Sequence, residues 1–356
     1  ALNTDNLSDP AIADPTKHFN TVLWSGDSSY PRSITGTGFA TDLLWFKTRN
    51  QTYDNIVLDS VRGLGSGNDK AIVTNLTSAE GIDSGNFNVS SFDSGGFTMA
   101  SPSSTDTQNA SGDTYVGWNW KAGGTAVSNT DGTITSSVSA NTTAGFSIVS
   151  YTGSGSAATI GHGLSSAPEL IIVKARNTAG YDWLVYSDPI GNTKNLRLNL
   201  TNGEQTNSVF WNDTSPTASV FSVGTGGDVN IAATTFIAYC FHSVEGYSKV
   251  GSSYTGNGSA DGTFIYTGMK PAFLLVKNIQ TAARQWFIFD SARDTYNTVV
   301  KKLYPNLTNA EADADAYDFV SNGFKVRSTD ANWNTSGESY LYLAFAESPF
   351  KTSNAR

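Results

Sequence analysis

Cysteine is almost missing from this 356-residue chain: Cys240 stands alone, so no internal disulfide can form. Stability has to come from packing or from association between chains. Charge is scarce as well, at 15% of residues, with 22 Lys and Arg scattered singly against 31 Asp and Glu. Without a basic stripe to neutralise phosphates, nucleic acid and anionic membrane surfaces are poor partners. Apolar runs stop at about six residues, far short of the roughly 20 that span a bilayer. The start, ALNTDNLSDPAIADPTKHF, has neither the basic nor the apolar region of a secretion signal. Only His18, His162 and His242 represent histidine, each without an acid or thiol at metal-ligand spacing, which argues against a zinc site or a Ser-His-Asp triad. No metal, cofactor or catalytic residue is expected.

What the chain has instead is 43 Ser, 41 Thr, 30 Asn and 34 Gly. These residues favour turns and weaken helix interiors. Short apolar or alternating runs such as DLLWFK, ELIIVK, AFLLVK, QWFIFD and NGFKV, bounded by Gly, Asn, Asp or Pro, predict antiparallel strands. No window of 12 residues holds a convincing 3.6-residue stripe; the best, NAEADADAYDFV, is about one short helix long.

Laid against itself, the chain repeats. Trp24 to Lys47, Tyr151 to Lys174 and Tyr254 to Lys277 are each 23 residues apart. Then come NLTSAE at Asn75, NLTNGE at Asn199 and NLTNAE at Asn306. Each copy closes on a strand led by an asparagine: Asn109 before YVGWNW, Asn230 before FIAYCF and Asn334 before YLYLAF. The prediction is an all-β protein of three tandem homologous antiparallel β-sandwich, jelly-roll-like domains with at most one short helix each. The expected boundaries are an arm over 1–23, domains over 24–120, 151–241 and 254–347, and a tail over 348–356. A polar linker over 121–150 should hold a hairpin near Asp131-Gly132, and the shorter 242–253 linker should couple the second and third domains more rigidly.

The recurring polar residues read as scaffold. Thr77 and Glu80, Thr201 and Glu204, and Thr308 and Glu311 have the spacing of a capping box. Lys47, Lys174 and Lys277 end apolar strands, where a long side chain reaches solvent. Asp59 with Arg62 and Asp290 with Arg293 are expected to brace a turn, whereas the middle copy reads YSDPIG and has no arginine. The acidic run Glu311, Asp313, Asp315 and Asp318 lacks the glycine and terminal glutamate of a calcium loop. Trp211 and Trp333 lie in polar stretches, FWNDTSPT and DANWNTSG, and are the candidates for stacking on a glycan.

The long phrases SNTDGTITSSVSANTTAGFSIVSYTGSGS, GHGLSSAPELIIVKAR, NLRLNLT, IAYCFHSVEGYSKVGSSYTGNGSADGTFIYTG, SNGFKVR and LAFAESPF resemble a family of virion proteins of tailed bacteriophages, especially those of marine bacteria. The resemblance covers the chain from about residue 18. It implies a non-enzymatic structural protein, a tail fibre, spike or appendage, assembled in the host cytoplasm and exposed on the particle. Host surface glycans and other virion proteins would be its partners, the latter through residues 1–23, and a trimer is expected by analogy with phage appendages. The alternatives are a capsid or tail decoration protein and, from another class, a polysaccharide-degrading tail enzyme.

Overall fold

The computed structural model describes residues 7–65, 70–81 and 86–353. The fold is all-β, and every strand pair in its sheets is antiparallel. The strands group into three large sheets, each covered on one face by a small one. In the first sandwich the large sheet runs, in spatial order, Phe19–Ser25, Thr114–Trp120, Leu43–Thr48, Ile56–Asp59 and Ile72–Val73, and the small sheet runs Arg32–Thr35, Gly96–Met99 and Val89–Asp93. In the second, Thr235–Phe241 lies between Phe146–Thr152 and Leu170–Ala175, with Leu184–Ser187 next, opposite Ala158–Gly161 paired with Val220–Val223. In the third, Ser339–Pro349 lies between Ser248–Thr255 and Met269–Asn278, with Trp286–Asp290 next. Its cover is Phe264–Tyr266, Gly323–Val326, Ala312–Val320 and Val299–Lys302. Each large sheet thus places its closing strand between its first and third, and each small sheet pairs the second strand with the one before the closing strand.

The central strands read as unbroken apolar runs because both faces are buried. In a strand, alternate side chains point to opposite faces, and here the two faces feed different cores. Leu44 and Phe46 join the first sandwich's own core, whereas Leu43 and Trp45 join a core common to all three. Ile171 and Val173 divide from Leu170 and Ile172 in the same way, as do Leu274 and Val276 from Phe273 and Leu275. The sandwiches therefore pack as one body around a shared interior.

Several expectations are corrected by this packing. Residues 7–23 do not form a free arm: Phe19–Ser25 pairs in full register with Thr114–Trp120, and Ile12 is buried in the common core. A docking anchor in that stretch would cost the fold an edge strand. Residues 1–6 of the expected arm and 354–356 of the expected tail lie outside the described residues. The linker over 121–150 belongs to the second large sheet, whose strands Val127–Asn129 and Ser136–Asn141 form the hairpin spanning Asp131-Gly132. The boundaries at 151 and 254 fall inside strands Phe146–Thr152 and Ser248–Thr255. NAEADADAYDFV, the best of the unconvincing helical windows, contains the strand Ala312–Val320, with Ala316, Tyr317 and Phe319 buried toward the third core. Among the described residues the one α-helix is Ser208–Trp211, and no helix is long and apolar enough to cross a membrane.

Phe19 shows how the ends of the chain are tied together. Its ring centroid lies 4.9 Å from Trp120 of its own sandwich, and 5.5 Å from Phe273 and 5.0 Å from Phe345 of the third. Truncating a buried phenylalanine at such a contact removes apolar area and leaves a cavity. Phe19→Ala is expected to cost about 3–5 kcal/mol of unfolding free energy, measured by chemical denaturation; a loss below about 1 kcal/mol would show that the contact between first and last sandwich contributes little.

Candidate functional site

The recurring residues converge at the three joints between sandwiches. Each lysine at the end of a central strand is fully buried, which overturns the expectation that it reaches solvent. Burial is tolerable because carbonyl oxygens surround the ammonium. Lys47 donates from Nζ to the carbonyls of Gln51 at 3.2 Å and Tyr53 at 2.5 Å, and across the joint to that of Thr308 at 3.0 Å. Lys174 reaches the Tyr181 carbonyl at 2.6 Å and, across its joint, that of Thr77 at 3.3 Å. Lys277 reaches the Arg284 carbonyl at 2.6 Å and, across its joint, that of Thr201 at 3.1 Å. The first sandwich grips the third, the second grips the first and the third grips the second, so the contacts close a ring.

The threonines therefore act through their carbonyls. No helix begins at these threonines among the described residues, the one α-helix, Ser208–Trp211, being capped by Asn207, and the capping-box expectation is corrected. Two of the three glutamate side chains cross the joints instead. Glu80 accepts from Arg176 Nε at 2.8 Å, and Glu311 accepts from Arg49 Nε at 3.0 Å. The backbone N–H groups of Glu80, Glu204 and Glu311 donate in parallel to the carbonyls of Arg176, Ile279 and Arg49. At the joint between the third and second sandwiches Ile279 stands where arginine stands elsewhere, and Glu204 pairs within its own sandwich with Lys194.

The asparagines of the NLT motifs hold the edge of each joint. Asn75, Asn199 and Asn306 accept through Oδ1 from the backbone N–H of Asn55, Trp183 and Trp286 at 3.0, 2.9 and 3.2 Å. Those three residues then donate across the joints. Asn55 Nδ2 reaches the Tyr304 carbonyl, Trp183 Nε1 the Val73 carbonyl and Trp286 Nε1 the Arg197 carbonyl, each at 2.9 Å. The closing-strand asparagines Asn109, Asn230 and Asn334 are buried and hold the loop after each first strand.

Asp59 and Arg62 are bonded to each other and buried, and so are Asp290 and Arg293. Both aspartates are also reached from the adjacent sandwich. Tyr239 donates its hydroxyl to Asp59 Oδ2 at 2.8 Å, and Trp118 donates Nε1 to Asp290 Oδ2 at 3.0 Å while lying 5.7 Å beneath the Arg293 guanidinium. At the remaining joint the corresponding pair is Leu343 and Ser187, whose buried hydroxyl has no partner among the described residues. The joint between second and third sandwiches, expected from its short linker to be the firmest, thus has the fewest charged links and closes mainly by apolar contact.

The geometry determines what these groups can do chemically. Against burial, which would raise it, the hydrogen bond from Arg176 and the charge of Arg62 hold the Glu80 carboxyl below its usual range. Arg49 and Arg293 do the same to Glu311. A general acid needs the opposite shift, so these carboxylates suit cross-linking. Burial pulls the ammonium of Lys47 and of Lys174 down to about 8, partly opposed by nearby aspartates, and that of Lys277 to about 7, with the Arg284 charge adding. Among the described residues no group of three His, Cys, Asp or Glu side chains is placed to hold a metal ion.

The glycan-stacking expectation for Trp211 and Trp333 is corrected. Trp211 is 1% exposed and Trp333 0%, each inside the core of its own sandwich, where Trp211 packs on Tyr186 and Trp333 on Phe287 and Phe289. Their polar sequence neighbours are turns that cover a buried ring. The cross-joint partners Arg49, Arg176, Asn55 and Tyr239 were missed, although arginine two places after the first two lysines was a visible signal.

Compared with known families, residues 14–349 match a domain of unknown function, DUF7483. No curated protein and no solved structure matches the chain.

Two outcomes follow from the joints. A lysine that loses its proton near 7 when folded and near 10.5 when unfolded makes unfolding take up protons, so stability rises with pH between those values. Cys240 and the buried Tyr254 and Tyr317, whose groups burial pushes up, act in the opposite sense above roughly pH 8.5. Unfolding free energy is therefore expected to rise between about pH 7 and pH 8.5, by up to about 1.4 kcal/mol per pH unit for each lysine. Lys277→Met should flatten that profile in denaturation measured across pH, and an unchanged profile would place the ammonium in water. Glu80→Gln is expected to cost about 2–4 kcal/mol, because a largely buried ion pair is broken. Glu204→Gln should cost under about 1 kcal/mol, its partner being half-exposed, and equal losses would contradict the assignment of the joints.

Proposed function

The chain belongs to the DUF7483 family, and we propose that it is a non-enzymatic structural protein of a tailed bacteriophage particle. It is displayed as a fibre, spike or other appendage, where it contacts host surface glycans or neighbouring subunits. The observation that supports the structural role is the use of the recurrent polar residues. Lys47, Lys174 and Lys277, with Glu80 and Glu311, tie sandwich to sandwich and leave no reactive constellation at the landmarks. The phrases resembling virion proteins supply the particle, and the surface rich in Ser, Thr, Asn and Gly suits an exposed component that holds together without disulfides.

A closed ring of three sandwiches favours a rigid block that keeps its shape outside the cell. A decoration protein on the head or tail uses the same block in a different place. Mass spectrometry of purified particles should find the chain in stoichiometric copies, and cryo-EM should show a three-part density on the particle exterior. Density on the head lattice would select the decoration role. Absence from purified particles, with the protein present in infected cells, would refute the proposal.

A further inference from the structure

We propose that the cleft around Tyr266 and Lys249 on the third sandwich is a binding site for a carbohydrate chain. The cleft encloses about 390 Å³ and is lined by Ser243, Glu245, Ser248, Lys249, Tyr266 and Thr267. A second hollow of about 70 Å³ shares Glu245, Tyr266 and Gly268 with it. Tyr266 thus lines both hollows, an arrangement suited to an extended ligand that runs from one to the other.

The ring is exposed for a physical reason. Phe264–Tyr266 is the edge strand of the small sheet, with Ile265 facing the core and Phe264 and Tyr266 both outward, the latter 62% exposed. Opposite Tyr266 in the register stands Gly323, where an added Cβ would lie 2.0 Å from the Ile265 carbonyl oxygen. The tyrosine consequently has no side chain facing it from the neighbouring strand. Below it, Gly268 at φ +74° would place a Cβ 3.6 Å from the Tyr266 hydroxyl, so the chain turns directly beneath the ring.

The walls are held while the recognition groups are left over. Ser248 Oγ accepts from the Val244 N–H at 3.0 Å, Thr267 Oγ1 donates to the Met269 carbonyl at 2.9 Å, and Ser243 is bonded to Glu169. Glu245 is exposed and Lys249 half-buried, and neither side chain has an ion pair or hydrogen bond among the described residues. A flat aromatic face beside an uncommitted carboxylate and an uncommitted ammonium is the set a pyranose uses: its C–H face packs on the ring, and its hydroxyls donate to Glu245 and accept from Lys249. An apolar peptide would leave both charges unpaired, which disfavours it.

This site rests on the preceding proposal only for its biological setting, and binding by the purified chain can fail or succeed independently of where the protein sits. The test is calorimetric titration and saturation-transfer NMR of the full chain with maltohexaose, cellohexaose, chitohexaose and an oligo-uronate. At least one should bind, with transfer from sugar ring protons. Tyr266→Ala should weaken binding by at least roughly tenfold, and Glu245→Gln and Lys249→Met should weaken it as well. Tyr296→Ala, which removes a separate aromatic that is 80% exposed, should leave it unchanged. No binding to any of the four, or equal binding by the folded Tyr266→Ala protein, overturns the site.

Discussion

A buried ammonium has to be surrounded by oxygen, and the architecture of this protein depends on where that oxygen comes from. At each of the three joints a lysine from one sandwich is completed by a threonine carbonyl from the next. Removing the neighbour would leave the lysine short of an acceptor and open to water at the end of an otherwise apolar strand. Each sandwich therefore carries a polar requirement that only another sandwich meets. Because the donors and acceptors run in one direction around the molecule, the requirement is met three times only when the ring is closed.

The apolar packing has the same logic. Period-2 alternation gives every central strand two buried faces, and only one of them has its cover within the same sandwich. The other face, with Trp45, Ile172 and Leu275 among its residues, is left for the common core. Trp118 and Tyr239 then extend polar atoms through that core to the aspartates next door, and Leu343 replaces them at the third joint. Departure from threefold likeness is thus concentrated at one joint, where Ile279, Leu343 and Ser187 stand in place of arginine, aromatic donor and aspartate.

Much of this was legible in the sequence. The strand runs announced an all-β fold, and the 23-residue spacings and the NLT motifs marked positions that the fold uses alike. What sequence could not show was the direction in which those side chains act. A lysine at the end of an apolar strand looks the same whether water or another sheet lies beyond it, and sequence alone puts Lys47 in solvent. Thr77 and Glu80 matched a capping box by spacing, although the glutamate's partner, Arg176, is 96 residues away. Trp211 and Trp333 looked exposed because their neighbours are polar, yet turn residues surround a ring that points inward. Boundaries drawn at aromatic landmarks cut into strands beginning at Phe19, Phe146 and Ser248, which carry fewer aromatic markers. The Tyr266 cleft left no recognisable pattern, since its residues come from separate turns and two edge strands of different sheets.

The central claim is that three sandwiches fold and hold as one cooperative body. Differential scanning calorimetry of the full chain tests it most directly. A single transition whose calorimetric and van't Hoff enthalpies agree is the predicted result. Two or three resolved transitions, or a calorimetric enthalpy several times the van't Hoff value, would show that the sandwiches melt independently and that the joints do not bind them into a unit.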